Sequence, residues 1–168
     1  PVLQEARAAN IPVVVTDRAV NVSDESLYLS LIGSDFVEEG RRAGRWLLEN
    51  TRDRSGDIRI VELQGTVGSA PANDRKRGFE EVIAAEPRYR IVRSQTGDFT
   101  RAKGKEVMEA ILKAEDRRID VLFAHNDDMA LGVMAMGGSG CISVTANVAP
   151  GLCAQFQNAC LEGRWGDA

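Results

Sequence analysis

Short β-branched runs alternate with amphipathic stretches of helical length along the chain, and this alternation constrains the fold more than any other feature. Ile11–Thr16, Tyr28–Ile32, Ile58–Leu63, Tyr89–Ser94, Ile119–His125 and Cys141–Thr145 are segments of strand length built around apolar residues. From the second run onward, each is followed by a helical pattern. Asp35 to Asn50 places Phe36, Ala43, Trp46, Leu47 and Leu48 against a polar set of Glu38, Glu39, Arg41, Arg42 and Arg45. Further helices are expected after the Gly65 loop, over Thr100–Glu115, over Asp128–Met136 and over Val148–Glu162, the last stopped by Gly163. The opening ten residues read as the end of a helix. The order β-β-α-β-α-β-α-β-α-β-α implies right-handed crossovers and a parallel sheet with helices on both faces. A closed eight-stranded barrel typically needs about 250 residues. The 168 present suit an open, doubly wound, flavodoxin-like sheet.

Ligands of such sheets sit outside the carboxyl ends of the strands. Asp17, Arg18, Gln64, Asp98, Phe99, Asn126, Asp127, Thr145 and Asn147 fall at those expected ends, with Asn73 and Arg75 at the start of a helix. Carboxylates and amides for paired hydroxyls, an Arg fork and an aromatic face form the set a sugar requires. Asp, Asn and Gly at strand-to-helix turns also serve as caps and turn formers.

Composition narrows the classes. A net charge of −4 with no basic run excludes a nucleic-acid surface. No apolar run is long enough for a transmembrane helix. His125 is the sole histidine, so no His-based metal cluster is expected, and no cofactor motif is found. GGSG at 137–140 lacks the lysine and the strand-first order of a phosphate loop and reads as a helix stop. Residues 1–140 contain no cysteine, yet Cys141, Cys153 and Cys160 crowd the last stretch. Their odd number excludes a fully paired set of disulfides.

The segments NIPVVVTDR, LIGSDFVEEGRRAGRWL, IVELQGTVGSAPANDRKRGF, TGDFTRAKG and VLFAHNDDMALG resemble the type I periplasmic sugar-binding proteins, nearest the ribose- and galactofuranose-type branch. The resemblance spans about residues 1–132. It implies a protein that holds a monosaccharide between two α/β lobes and delivers it to an ABC transporter. The positions it matches to sugar contact are Asp17, Arg18, Asn73 or Arg75, Phe99 and Asn126. Lactose-type repressors share the fold, but their basic headpiece is not present. From about residue 128 to 168 the chain, with its segment GGSGCISVTANVAPGLCAQFQNACLEGRW, resembles instead the last βα unit of dihydrodipicolinate synthase, a barrel lyase. The cysteine step coincides with this change of resemblance.

The combined resemblance implies a hybrid. Residues 1–34 correspond to the last strands of a first lobe, 35–132 to a sugar-binding second lobe and 133–168 to a grafted barrel unit, the whole forming one compact domain. The expected function is that of a chimeric scaffold with no catalysis and weak, vestigial monosaccharide binding. The alternatives are a working transporter solute-binding component and a synthase-like lyase. The lyase family uses a strand lysine and a tyrosine, whereas Lys76, Lys103, Lys105 and Lys113 all fall on expected helices. No nucleic acid or membrane partner is expected, and exposed strands at 11–16 and 28–32 would favour a homodimer. The expected compartment is cytoplasmic for the chain as expressed, with a periplasmic parent for about 1–132 and a cytoplasmic parent for about 133–168.

Overall fold

The structure is a computed structural model that describes residues 1–114, 119–126, 151, 154–155, 158–159 and 162–164. It divides into two compact units, Pro1–Asp35 and Phe36–Ala168.

The smaller unit begins with helix α1 (Val2–Ala8), the helix end read from the first ten residues. Asn10 follows in the left-handed region at φ 55°, which Asn tolerates better than most residues. Strands β1 (Val14–Thr16) and β2 (Ser30–Ile32) pair in parallel, Val14 opposite Ser30 and Thr16 opposite Ile32. Both are shorter than the apolar runs that contain them. Pro12 has no N–H to offer a ladder, so β1 starts after it. A 3-10 turn over Glu25–Leu27 is capped by Asp24, which accepts the Ser26 N–H at 2.9 Å and the Arg7 guanidinium at 3.1 Å. No residue of this unit is buried.

The larger unit carries the core. Helices α2 (Phe36–Asn50), α3 (Ala70–Ile83) and α4 (Arg101–Ala114) alternate with strands β3 (Ile58–Gln64), β4 (Tyr89–Thr96) and β5 (Val121–Ala124). The strands form one parallel sheet in the order β4–β3–β5. The chain leaves β3 for β4 on one side, then crosses back to place β5 on the other. The carboxyl ends of β3 and β5 therefore flank the point where strand order reverses, the place where open sheets bind ligands.

Strand alternation splits the core in two. Val61 and Leu63 of β3 face Val107, Met108 and Ile111 of α4, with Ala124 of β5 beside them. Ile58 and Ile60 face Leu47 of α2 and Phe79 and Ile83 of α3, with Tyr89 and Phe123 completing that side. The Phe79 and Phe123 rings stack with centroids 4.0 Å apart. Helices thus cover both faces, as the doubly wound reading requires.

The helix pair α2–α3 is packed backbone to backbone. A Cβ on Gly40 would collide with the Arg75 carbonyl oxygen, and one on Gly78 with the Val37 carbonyl oxygen. Arg75 itself is buried, 2% exposed, with Nε donating to Glu39 Oε2 at 2.8 Å and its guanidinium 4.6 Å from the Phe36 ring centre.

The expected strand Cys141–Thr145, the expected helix Asp128–Met136 and all three cysteines lie outside the described residues. Of the last expected helix, Gly151, Ala154, Gln155, Asn158 and Ala159 are helical, and Ala159 is buried. Gly163 at φ 73° and the Arg164 N–H on the Ala159 carbonyl (2.8 Å) form the anticipated glycine stop.

Gly40→Ala is expected to cost about 1–3 kcal/mol, because rigid backbone rather than a movable side chain opposes the new methyl. Urea unfolding should show a lower midpoint with an unchanged slope.

Candidate functional site

Parallel strands bring the ends of β3, β4 and β5 to one edge of the sheet. Three turns leave that edge, and each is shaped by its local sequence. After β3, Gly65 lets the Phe99 ring approach so closely that any Cβ at position 65 would overlap the ring carbons. After β4, Asp98 and Phe99 both take φ 53°, a left-handed geometry that is strained for a bulky aromatic. The Thr96 hydroxyl donates to the Gly65 carbonyl at 2.7 Å and accepts the Asp98 N–H at 3.0 Å, which holds this turn against the first. After β5, the His125 N–H extends the ladder to the Leu63 carbonyl at 3.1 Å, and half-buried Asn126 comes next. Asn73 lies in the first turn of α3, exposed, its N–H on the Ser69 carbonyl.

Phe99, Asn126 and Asn73 therefore share one edge of the larger unit. Arg75 does not join them, because its guanidinium is committed to Glu39 and Phe36 between the helices. In the smaller unit, Asp17 and Arg18 stand at the carboxyl end of β1, both exposed, with Arg18 Nε donating to Asp17 Oδ2 at 3.2 Å. Asp17 sits at φ 69° and its N–H bonds the Ile32 carbonyl at 3.0 Å.

Beneath the edge of the larger unit lies a feature that sequence reasoning missed. Glu62 of β3 is fully buried, on the same face as Ile58 and Ile60. Its Oε2 accepts from Lys76 Nζ at 2.6 Å, Ser94 Oγ at 2.5 Å and Gln64 Nε2 at 2.9 Å. Its Oε1 meets His125 Nε2 at 3.1 Å, and His125 is fully buried as well. Burial pushes the Glu62 carboxyl up, but the bonds from His125, Gln64, Lys76 and Ser94 outweigh burial and bring its pKa down to about 2. Burial likewise works against the Lys76 ammonium, and the Glu62 bond with the nearby Glu80 carboxylate outweighs it, so the Lys76 pKa is raised. The available signal was a carboxylate between Val61 and Leu63, sharing the parity of Ile58 and Ile60, which assigns it to the core. Among the described residues, no group of three His, Cys, Asp or Glu could hold a metal ion. No described helix is long and apolar enough to cross a membrane.

Comparison with known proteins adds a family. The profile of the periplasmic binding protein domain matches residues 1–137. The chain belongs to that family. The galactofuranose-binding protein of Escherichia coli (strain K12) is 48% identical over 136 residues, 80% of this chain and 42% of that protein. The periplasmic binding component of the arabinose ABC transporter from Shewanella sp. ANA-3, solved with alpha- and beta-L-arabinofuranose, matches with a TM-score of 0.77 at 50% identity. That match covers 85% of this chain and 50% of that one. The chain thus spans about half the length of these relatives. A separate stretch of 43 residues, 26% of the chain, is 84% identical to 15% of the 4-hydroxy-tetrahydrodipicolinate synthase of Rhizorhabdus wittichii. The two kinds of match together exceed the chain's length, so they share residues, and the chain joins sequence of two families.

Because the folded pKa of Glu62 lies below its ordinary 4.5, its contribution to stability is complete above that pH and is lost as pH falls through about 2. The gap corresponds to about 3 kcal/mol. Urea unfolding from pH 6 to pH 2 should show the protein losing about that much more than Glu62→Gln does. Parallel acid profiles for the two would contradict the assignment.

Proposed function

We propose that this chain binds a monosaccharide in its furanose form at the carboxyl ends of its strands and performs no catalysis. The observation that carries the reading is the Phe99 ring, held on Gly65 in a strained backbone and on the same sheet edge as Asn126 and Asn73. An aromatic face takes the C–H side of a sugar ring, while amides take its hydroxyls. Of the two candidates at the start of α3, exposed Asn73 is the sugar contact, and buried Arg75 supports it by clamping α3 to α2. In the smaller unit, taken by itself, Asp17 and Arg18 carry groups of the same chemistry at the end of β1. Galactofuranose and arabinofuranose, named for two relatives, supply the ligand class. In that setting the chain's part is to present the sugar to an ABC transporter.

Absence of catalysis is argued from the lysines. All four lie on α3 and α4. Lys76, the one tied into the buried network, has its pKa raised, the opposite of what a Schiff-base nucleophile at neutral pH requires. The synthase-like stretch GGSGCISVTANVAP holds no lysine, so its role is that of a scaffold unit.

One aromatic face and two amides support only weak binding, with Kd near or above about 1 mM, or roughly −4 kcal/mol. Calorimetric titration with methyl β-D-galactofuranoside and L-arabinose should show saturable binding in that range. Phe99→Ala and Asn126→Ala should each weaken it about tenfold. No saturation with either sugar would sink the proposal. A covalent adduct after borohydride treatment with pyruvate would favour the lyase instead.

A further inference from the structure

The carboxylate of Glu62 gathers groups from every element of the binding edge. It sits two residues before the end of β3 and takes Gln64 from the same strand, Ser94 from β4, His125 from the end of β5 and Lys76 from α3. Three of these lie close in sequence to a proposed sugar contact or its support. Gln64 precedes Gly65, which carries the Phe99 ring. His125 precedes Asn126. Lys76 is one turn along α3 from Asn73.

The histidine is the more constrained branch. An ionised carboxylate only accepts hydrogen bonds, so the proton facing Glu62 Oε1 belongs to His125 Nε2. The other nitrogen, Nδ1, is buried and has no hydrogen-bond partner among the described residues. A second proton there would make the ring a buried cation with a donor that no described residue receives. The Phe123 ring lies against the imidazole, 4.8 Å away and tilted by 51°.

We infer that Glu62 is a positioning residue for the sugar-binding edge. It locks His125 as the Nε2–H tautomer and thereby sets Asn126, and through Gln64 and Ser94 it sets the Gly65–Phe99 contact. The effect on sugar binding rests on the function proposed above, whereas the tautomer and the local geometry do not.

His125 is the only histidine, so long-range proton–nitrogen NMR of the intact chain reads one imidazole. The wild-type protein at neutral pH should show Nε2 protonated and Nδ1 bare. An Nδ1–H ring, or a fast mixture of tautomers, would overturn the inference. Glu62→Gln should release the tautomer, speed amide exchange at Asn126 and weaken furanoside binding at least tenfold. Leu47→Ala, a core change on α2 with its own stability loss, should leave tautomer and affinity as they were. A Glu62→Gln protein with unchanged tautomer and Asn126 exchange would refute the positioning role. Should Glu62→Gln fail to fold, Ser94→Ala is expected to shift the Gly65 and Phe99 amides while sparing the histidine, and unshifted amides would count against the inference. If the wild-type chain binds no furanoside, the sugar reading falls, while the NMR results still decide the role of Glu62.

Discussion

A strand paired on both edges and covered on both faces keeps the side chains at its middle away from water. β3 is such a strand, paired with β4 and β5 and roofed by α4 on one face and by α2 and α3 on the other. Its apolar positions simply fill the two cores. Glu62 cannot, and its burial is tolerated only because four donors converge on it. Those donors come from both neighbouring strands, from α3 and from β3 itself, so the charge that β3 cannot solvate ties the sheet together at its carboxyl end. The edge on which Phe99, Asn126 and Asn73 stand is built directly above that knot.

The α/β order of the larger unit was legible because its helices are amphipathic at a clear period and its strands hold short apolar and β-branched segments between them. The strand and helix bounds moved by only a few residues. The short strands of the smaller unit were less legible, since Pro12 interrupts a run that otherwise reads as strand from Ile11. The turn residues Phe99 and Asn126 could be found from their place after strands. The roles of Asn73 and Arg75 could not be separated in that way. They differ by two positions on a helix, and only the packing of α2, set by Gly40 and Gly78, decides which of them is enclosed. Glu62 was hidden for a related reason. Its partners include residues 32 and 63 positions further on, and no local pattern announces a contact of that range.

Two families meet in this sequence without a conflict of architecture. The binding-protein part forms parallel strands joined by helical crossovers, and the barrel lyase that the sequence resembles is built from the same kind of unit. Both families ask the same of a βα unit: an apolar strand for a sheet interior and one packing stripe on the helix. The buried Ala159 and the glycine stop at Gly163 show helix features of that kind near the chain's end. Chemistry does not transfer so readily, because a reactive lysine depends on a pocket assembled by many units at once.

The strained backbone at Phe99 has a consequence for how this sequence can change. Glycine would relax the left-handed geometry at position 99 and stabilise the turn, but it would delete the aromatic ring in the same step. Substitutions that keep a ring keep the strain. Under the proposed function, selection for a sturdier protein and selection for the ligand pull on this one residue in opposite directions. On that reading, a lineage released from the ligand would be free to give up the ring for stability, and the identity of residue 99 would record the release.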